Sequence, residues 1–176
     1  MVRENEIREN EVAVEPPPAV DAGLVFIGRI ETPWVLRLET PRQGRQDGPI
    51  CIIEVVEPWV AALRGIERFQ RLEFLYWLDR SRRDLVLQSP ASNGETHGTF
   101  SLRSPVRPNP IGTSIVILEK VEGARLFVKG LDCLDGTPLI DIKPDRCLFT
   151  PVAPPQKGDF ETAHGPDDSP ISQLMK

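Results

Sequence analysis

The chain has little of the chemistry that metal sites require. It holds two histidines and three cysteines in 176 residues. Cys51, Cys133 and Cys147 are isolated, no CxxC occurs, and neither His97 nor His164 has a partner at ligand spacing. That pattern argues against a structural zinc site and fits a reducing cytoplasm. Cys133 and Cys147 read as small buried hydrophobes, and His97 as a loop residue. No apolar run approaches the roughly 18 residues that a membrane-crossing helix needs, so no membrane span is expected. Met1 to Asp21 is charged and proline-bearing with no apolar h-region, so no secretory signal is expected. No internal repeat is visible.

Acidic residues are missing from one long stretch, Thr96 to Leu118, in a chain whose net charge is −5. Inside it, Gly98 to Ser114 reads G-T-F-S-L-R-S-P-V-R-P-N-P-I-G-T-S. Proline fixes φ and removes a donor, and it pushes the preceding residue into extended conformations. The pairs Ser104-Pro105, Arg107-Pro108 and Asn109-Pro110 therefore predict a stiff, non-helical loop. Such a loop holds Arg103 and Arg107 in place at low ordering cost, which suits a carboxylate or other anionic ligand.

The overall acidity belongs to the ends. Residues 1–22 set two basic residues against six acidic ones, and residues 157–176 set two against four, so the intervening body is near +1. An RNA partner is compatible with that body, which carries arginines at 80, 82, 83, 103 and 107. Arg80, Arg82 and Arg83 read either as a solvated charge run or as an RNA contact.

Residues 1–22, with Pro16-Pro17-Pro18, read as a disordered N-terminal tail, and residues 154–176 as a C-terminal tail around a domain over 23–153. Between the tails the signal is mostly strand. Runs are expected at Leu24 to Thr32, Ile50 to Val56, Leu72 to Leu78, Leu85 to Leu87 and Leu139 to Ile142, with a hairpin of Thr113–Val121 and Ala124–Gly130 about Glu122-Gly123. Only Pro58 to about Phe69 looks helical, with Trp59, Leu63 and Ile66 at helical spacing. Tyr76 and Trp77 read as core aromatics. Many short strands with Gly/Pro punctuation imply an antiparallel barrel or sandwich.

Three blocks make the chain recognisable. The first is Ile27-Gly28-Arg29-Ile30-Glu31-Thr32-Pro33 with Pro41-Arg42-Gln43-Gly44. The second is Gly65-Ile66-Glu67-Arg68-Phe69 through Leu75-Tyr76-Trp77 to Arg82-Arg83-Asp84. The third is Arg103 to Gly112, followed by Leu131-Asp132-Cys133-Leu134-Asp135-Gly136-Thr137-Pro138 and Asp141-Ile142-Lys143-Pro144. In this order they resemble the TsaA/TrmO-like family, also called YaeB-like or VirR-like, over about residues 24–150.

The resemblance implies a small closed antiparallel β-barrel with one or two short helices. It also implies an S-adenosylmethionine-dependent methyltransferase that acts on the exocyclic nitrogen of threonylcarbamoyl-adenosine next to the tRNA anticodon. A homodimer with cofactor sites near the interface is implied as well, as is a cytoplasmic location. By the same resemblance the cofactor lies against Arg42, Gln43, Gly44, Asp79, Arg80, Arg103, Thr113, Lys129, Gly130, Leu131 and Asp132. Arg107, Asn109 and Lys143 fall to the substrate, and Asp135 and Asp141 are the candidate proton acceptors. Rival expectations are a methyltransferase of another RNA or small molecule, and a cofactor-binding regulatory protein without catalysis. Two departures stand out. Family members usually carry Ser-His-Leu where this chain has Gln70-Arg71-Leu72, and a tyrosine after DIKP where it has Asp145.

Overall fold

A computed structural model of the protein describes residues 7–15, 23–90 and 95–145. The expected C-terminal tail, with His164, lies outside the described residues, as does Cys147. Nine strands are present among those described: β1 (Val12–Ala13), β2 (Gly28–Glu31), β3 (Cys51–Val55), β4 (Arg71–Trp77), β5 (Leu85–Gln88), β6 (His97–Gly98), β7 (Ile111–Glu122), β8 (Arg125–Lys129) and β9 (Thr137–Pro144). Six of them close into an antiparallel barrel in the order β2-β3-β8-β7-β4-β9. The barrel alternative of the sequence reading is therefore the observed one. β1, β5 and β6 form a separate three-stranded sheet.

Period-2 alternation fills the barrel. Along β4, Leu72, Phe74 and Tyr76 are buried while Arg71, Glu73, Leu75 and Trp77 are more open. Ile53 of β3, Val116 of β7, Leu126 and Val128 of β8 and Leu139 of β9 meet them in one core. Phe74 is fully buried, a side chain whose transfer from water stabilises by about 1.5–3 kcal/mol. The β7–β8 hairpin turns at Gly123, with Glu122 opposite Arg125, as its sequence predicts. Cys51 and Cys133 sit in the same core as free thiols, and burial pushes them up to about 11 and about 12 respectively.

Three expectations are corrected. The helix over 58–69 is two 3-10 turns, Trp59–Leu63 and Ile66–Arg68, because Gly65 at φ 86 breaks the run. Leu24, Val25 and Phe26 are exposed and precede the strand, which begins only at Gly28. The stretch read as a loose N-terminal tail contains β1, which pairs with β5, and Glu11, which is only 8% exposed. Glu11 accepts hydrogen bonds from the backbone N–H groups of Arg8 (2.9 Å) and Ser89 (3.1 Å).

The topology sorts the connections between two rims. The β2–β3, β4–β7 and β8–β9 connections all leave one rim, because Glu31 pairs near Ile52, Trp77 opposite Ile111 and Ile30 opposite Thr137. We call this the loop rim. The hairpin at Gly123 and the 3-10 turns lie at the opposite, hairpin rim.

Candidate functional site

The loop rim is assembled by backbones that touch. A Cβ on Gly44 would lie 1.7 Å from the carbonyl oxygen of Gly130, so only glycine lets the 41–48 loop seat on the β8–β9 connection. Gly130, at φ 114, in turn lies against β7, where a Cβ would come 3.0 Å from the Ile115 carbonyl. Beside these contacts is a pocket of about 170 Å³ lined by Trp34, Pro41, Arg45, Pro49, Gly130 and Leu131 among others. The segments Arg42-Gln43-Gly44 and Lys129 to Asp132 are thus brought together, although Arg42 and Gln43 are exposed.

The long β4–β7 connection carries Asp79 and Arg80, both exposed, just past β4. The proline loop behind them is stiffened by side chains that donate to its carbonyls. Arg107 donates from Nε to Ser104 (2.9 Å) and from Nη2 to Leu102. Gln88, itself buried, donates to Val106 (2.8 Å), and Arg83 donates to Pro108 (2.7 Å). Arg103 projects from this braced loop, exposed and without a hydrogen bond or ion pair to any described residue, and the Asn109 side chain is equally free. The two arginines therefore differ in kind: Arg107, expected at the substrate, is committed to its own loop. Of the 80–83 cluster, Arg82 is held bidentately by Asp84, and Arg83 also stacks over Trp77 at 5.3 Å from the ring centre. Only Arg80 remains uncommitted.

Inside the rim, Tyr76, Ser114 and Asp132 form a hydrogen-bonded triangle. The Tyr76 hydroxyl donates to Asp132 Oδ1 at 2.6 Å, the Ser114 hydroxyl approaches the same oxygen at 3.1 Å, and the two hydroxyls are 2.8 Å apart. Burial, reinforced by the neighbouring Asp132 charge, pushes the Tyr76 phenol far above its ordinary range, so it stays a donor. Tyr76 is a core aromatic as read, yet its polar tip belongs to the site. Thr113, the expected contact, faces the outer wall and bonds Glu73 (3.0 Å), while Ser114 faces inward. Strand alternation was the signal that could have found Ser114.

The remaining expected residues are spread out. Asp135 lies on the loop rim, where Oδ1 accepts from the Thr32 N–H (3.0 Å). Asp141 stands on the outer wall, opposite Leu75, and its carboxylate binds Lys143 and the Ile142 N–H. Lys129 pairs with Glu119 at 3.0 Å. The two family departures meet at the hairpin rim, where Arg71 Nε is 3.0 Å from Asp145 Oδ2 and the Asp145 N–H donates to the Arg71 carbonyl (3.1 Å). Among the described residues no three metal-ligating side chains cluster, and no helix is long and apolar enough to cross a membrane.

Fold and site together define a small closed β-barrel with one elaborated rim. A family model described as the tRNA-methyltransferase O N-terminal domain matches residues 29–146, and the chain belongs to that family. The probable S-adenosyl-L-methionine-binding protein VirR of Rhizobium radiobacter is 62% identical over 151 residues, 86% of this chain and 86% of that protein. The tRNA (adenine(37)-N6)-methyltransferase of Mus musculus is 35% identical over 138 residues, 72% of this chain but 32% of that protein. A crystal structure of TrmO from Pseudomonas aeruginosa aligns with a TM-score of 0.64 at 32% identity, covering 79% of this chain and 62% of that one. The chain spans less than two thirds of those last two proteins.

Proposed function

We propose that this protein binds S-adenosyl-L-methionine on the loop rim and transfers its methyl group to the exocyclic nitrogen of threonylcarbamoyl-adenosine beside a tRNA anticodon. The observation that carries this reading is the meeting, at one rim, of the PRQG loop, the Gly130–Asp132 segment and the loop that presents Arg103. The residues present suit that cofactor chemically. Flat apolar surfaces from Trp34, Pro41 and Pro49 suit a purine, Asp132 offers a carboxylate oxygen, and Arg103 is an uncommitted guanidinium for the methionine carboxylate.

When bound, the cofactor supplies an activated methyl on sulfur. The protein's own share is to orient the two reactants and exclude water, and orientation alone contributes about 7–11 kcal/mol to such reactions. Asp135, exposed on the rim with one oxygen on Thr32, is assigned as proton acceptor for the weakly nucleophilic nitrogen. Asp141 is not, since its carboxylate is engaged on the outer wall. Arg42, Arg80 and Asn109 are the exposed rim groups assigned to RNA. Arg107 is assigned to bracing Arg103. The reading includes a homodimer, supported by the apolar outer wall of Ile111 and Ile115, which are 43% and 39% exposed.

A second reading, a cofactor-binding protein without catalysis, is favoured by the much fuller coverage of VirR than of the mouse methyltransferase. Methyl-labelled cofactor and tRNA carrying threonylcarbamoyl-adenosine decide between them. Label on that nucleoside supports transfer, binding without transfer supports the second reading, and no binding at all removes both. Arg103→Ala is expected to weaken cofactor binding at least about tenfold by calorimetry, the scale of a charged hydrogen bond.

A further inference from the structure

The triangle of Tyr76, Ser114 and Asp132 has more contacts than hydrogens. Two hydroxyl hydrogens serve three oxygen–oxygen contacts of 2.6, 3.1 and 2.8 Å. With Tyr76 donating to Asp132 Oδ1, the Ser114 hydrogen is shared between that oxygen and the Tyr76 hydroxyl. Oδ1 is therefore saturated, and the carboxylate is fixed in rotation. Oδ2 has no donor among the described residues, and no cation among them lies within ion-pair distance of Asp132. That oxygen keeps its full capacity to accept an N–H or O–H group of a ligand.

The fold goes to some length to hold this arrangement. A Cβ on Gly112 would lie 2.1 Å from Tyr76 Cε2, so the glycine of the PNPIG motif is what lets the ring lie flat against β7 and reach Asp132. Tyr76 and Ser114 are 3% and 7% exposed, so solvent does not compete for their hydroxyls. Asp132 follows directly on the Gly130-Leu131 segment that lines the pocket.

We propose that Tyr76 and Ser114 are positioning residues that lock the Asp132 carboxylate so that Oδ2 accepts from an N–H or O–H group of the bound cofactor, either its α-ammonium or a ribose hydroxyl. This rests on the reading that the rim binds S-adenosyl-L-methionine. Loss of a purely structural triangle would instead lower the affinity of every ligand alike.

The test is a set of affinities for the full-length protein, measured by calorimetry with S-adenosylhomocysteine, methylthioadenosine and a ribose-deoxy analogue of methylthioadenosine. The wild type is expected to prefer the first over the second, with Arg103 on the carboxylate contributing equally in every variant, and the second over the third if a hydroxyl is held. Tyr76→Phe should shrink one of these two ratios about tenfold, and Ser114→Ala should shrink the same ratio less. The choice of ratio identifies the donor. If both ratios are unchanged in both variants, the proposal is overturned, whatever happens to absolute affinity. If Tyr76→Phe fails to fold, the ratios of Ser114→Ala decide the matter alone. A wild type that binds none of the three ligands overturns the cofactor reading, and this inference with it; binding with unaltered ratios overturns this inference alone.

Discussion

Two aspartates at opposite rims are settled in opposite ways. Asp145, at the hairpin rim, has a side chain 6% exposed and is closed by the Arg71 guanidinium and by its own backbone bond to the same residue. Asp132, at the loop rim, is held by two hydroxyls on one oxygen and by no described residue on the other. A cation beside a carboxylate neutralises it and ends its chemistry, whereas neutral donors fix its position and leave its charge available. On the proposed function, the hairpin rim serves cohesion and the loop rim a ligand. Substitutions at the two rims should therefore separate binding from stability.

The largest effect is expected from Gly44→Val. Its side chain collides with the Gly130 carbonyl, so the 41–48 loop must lift off, and cofactor affinity should fall by about a hundredfold, the upper end of overpacking costs. Thermal stability should change far less, since the barrel core is untouched; an equal collapse of both would erase the distinction between rims. Next comes Arg71→Ala, which removes the Arg71 guanidinium from beside Asp145. A loss of about 1–3 kcal/mol in denaturant unfolding is expected, with cofactor affinity unchanged. A drop in affinity would place the hairpin rim in the site after all. The smallest is Arg107→Ala. Releasing the Leu102 and Ser104 carbonyls should loosen the loop that carries Arg103 and weaken binding about three- to tenfold, with partial recovery in Arg107→Lys. Unchanged cofactor binding with lost methyl transfer would return Arg107 to the substrate.

Much of the barrel was legible because alternation is a local signal. The runs at 50–56, 72–78, 113–130 and 139–142 all became barrel strands, within a residue or two at most ends. The run at 58–69 was legible as helical because spacing reports which residues face the core, and Leu63 and Ile66 do, but its break into two 3-10 turns at Gly65 was not. At the candidate site, motif matching pointed to Gly44, Gly130 and Asp132, which the fold brings to one rim, and the proline pattern pointed to Arg103. It could not separate Arg103 from Arg107, because both sit beside prolines in one basic loop and only the fold shows whose guanidinium is occupied. Ser114 was hidden behind Thr113 by one step of strand parity. Arg71 and Asp145 looked like two unrelated departures because residues of two strands that meet at one end of a barrel ladder are neighbours in space and strangers in sequence.

The strand at Val12–Ala13 has a practical side. A protein trimmed at residue 22, on the view that everything before it is a leader, would lose Glu11 and with it the acceptor for the Ser89 N–H. It would also bare the outer side of β5, where Val86 and Leu87 are already exposed. Gln88, next along that strand, is the residue that grips Val106 in the arginine loop. Trimming those 22 residues from one end would reach, through a single strand, the far side of the loop rim. Fusion partners and affinity tags on this protein belong elsewhere.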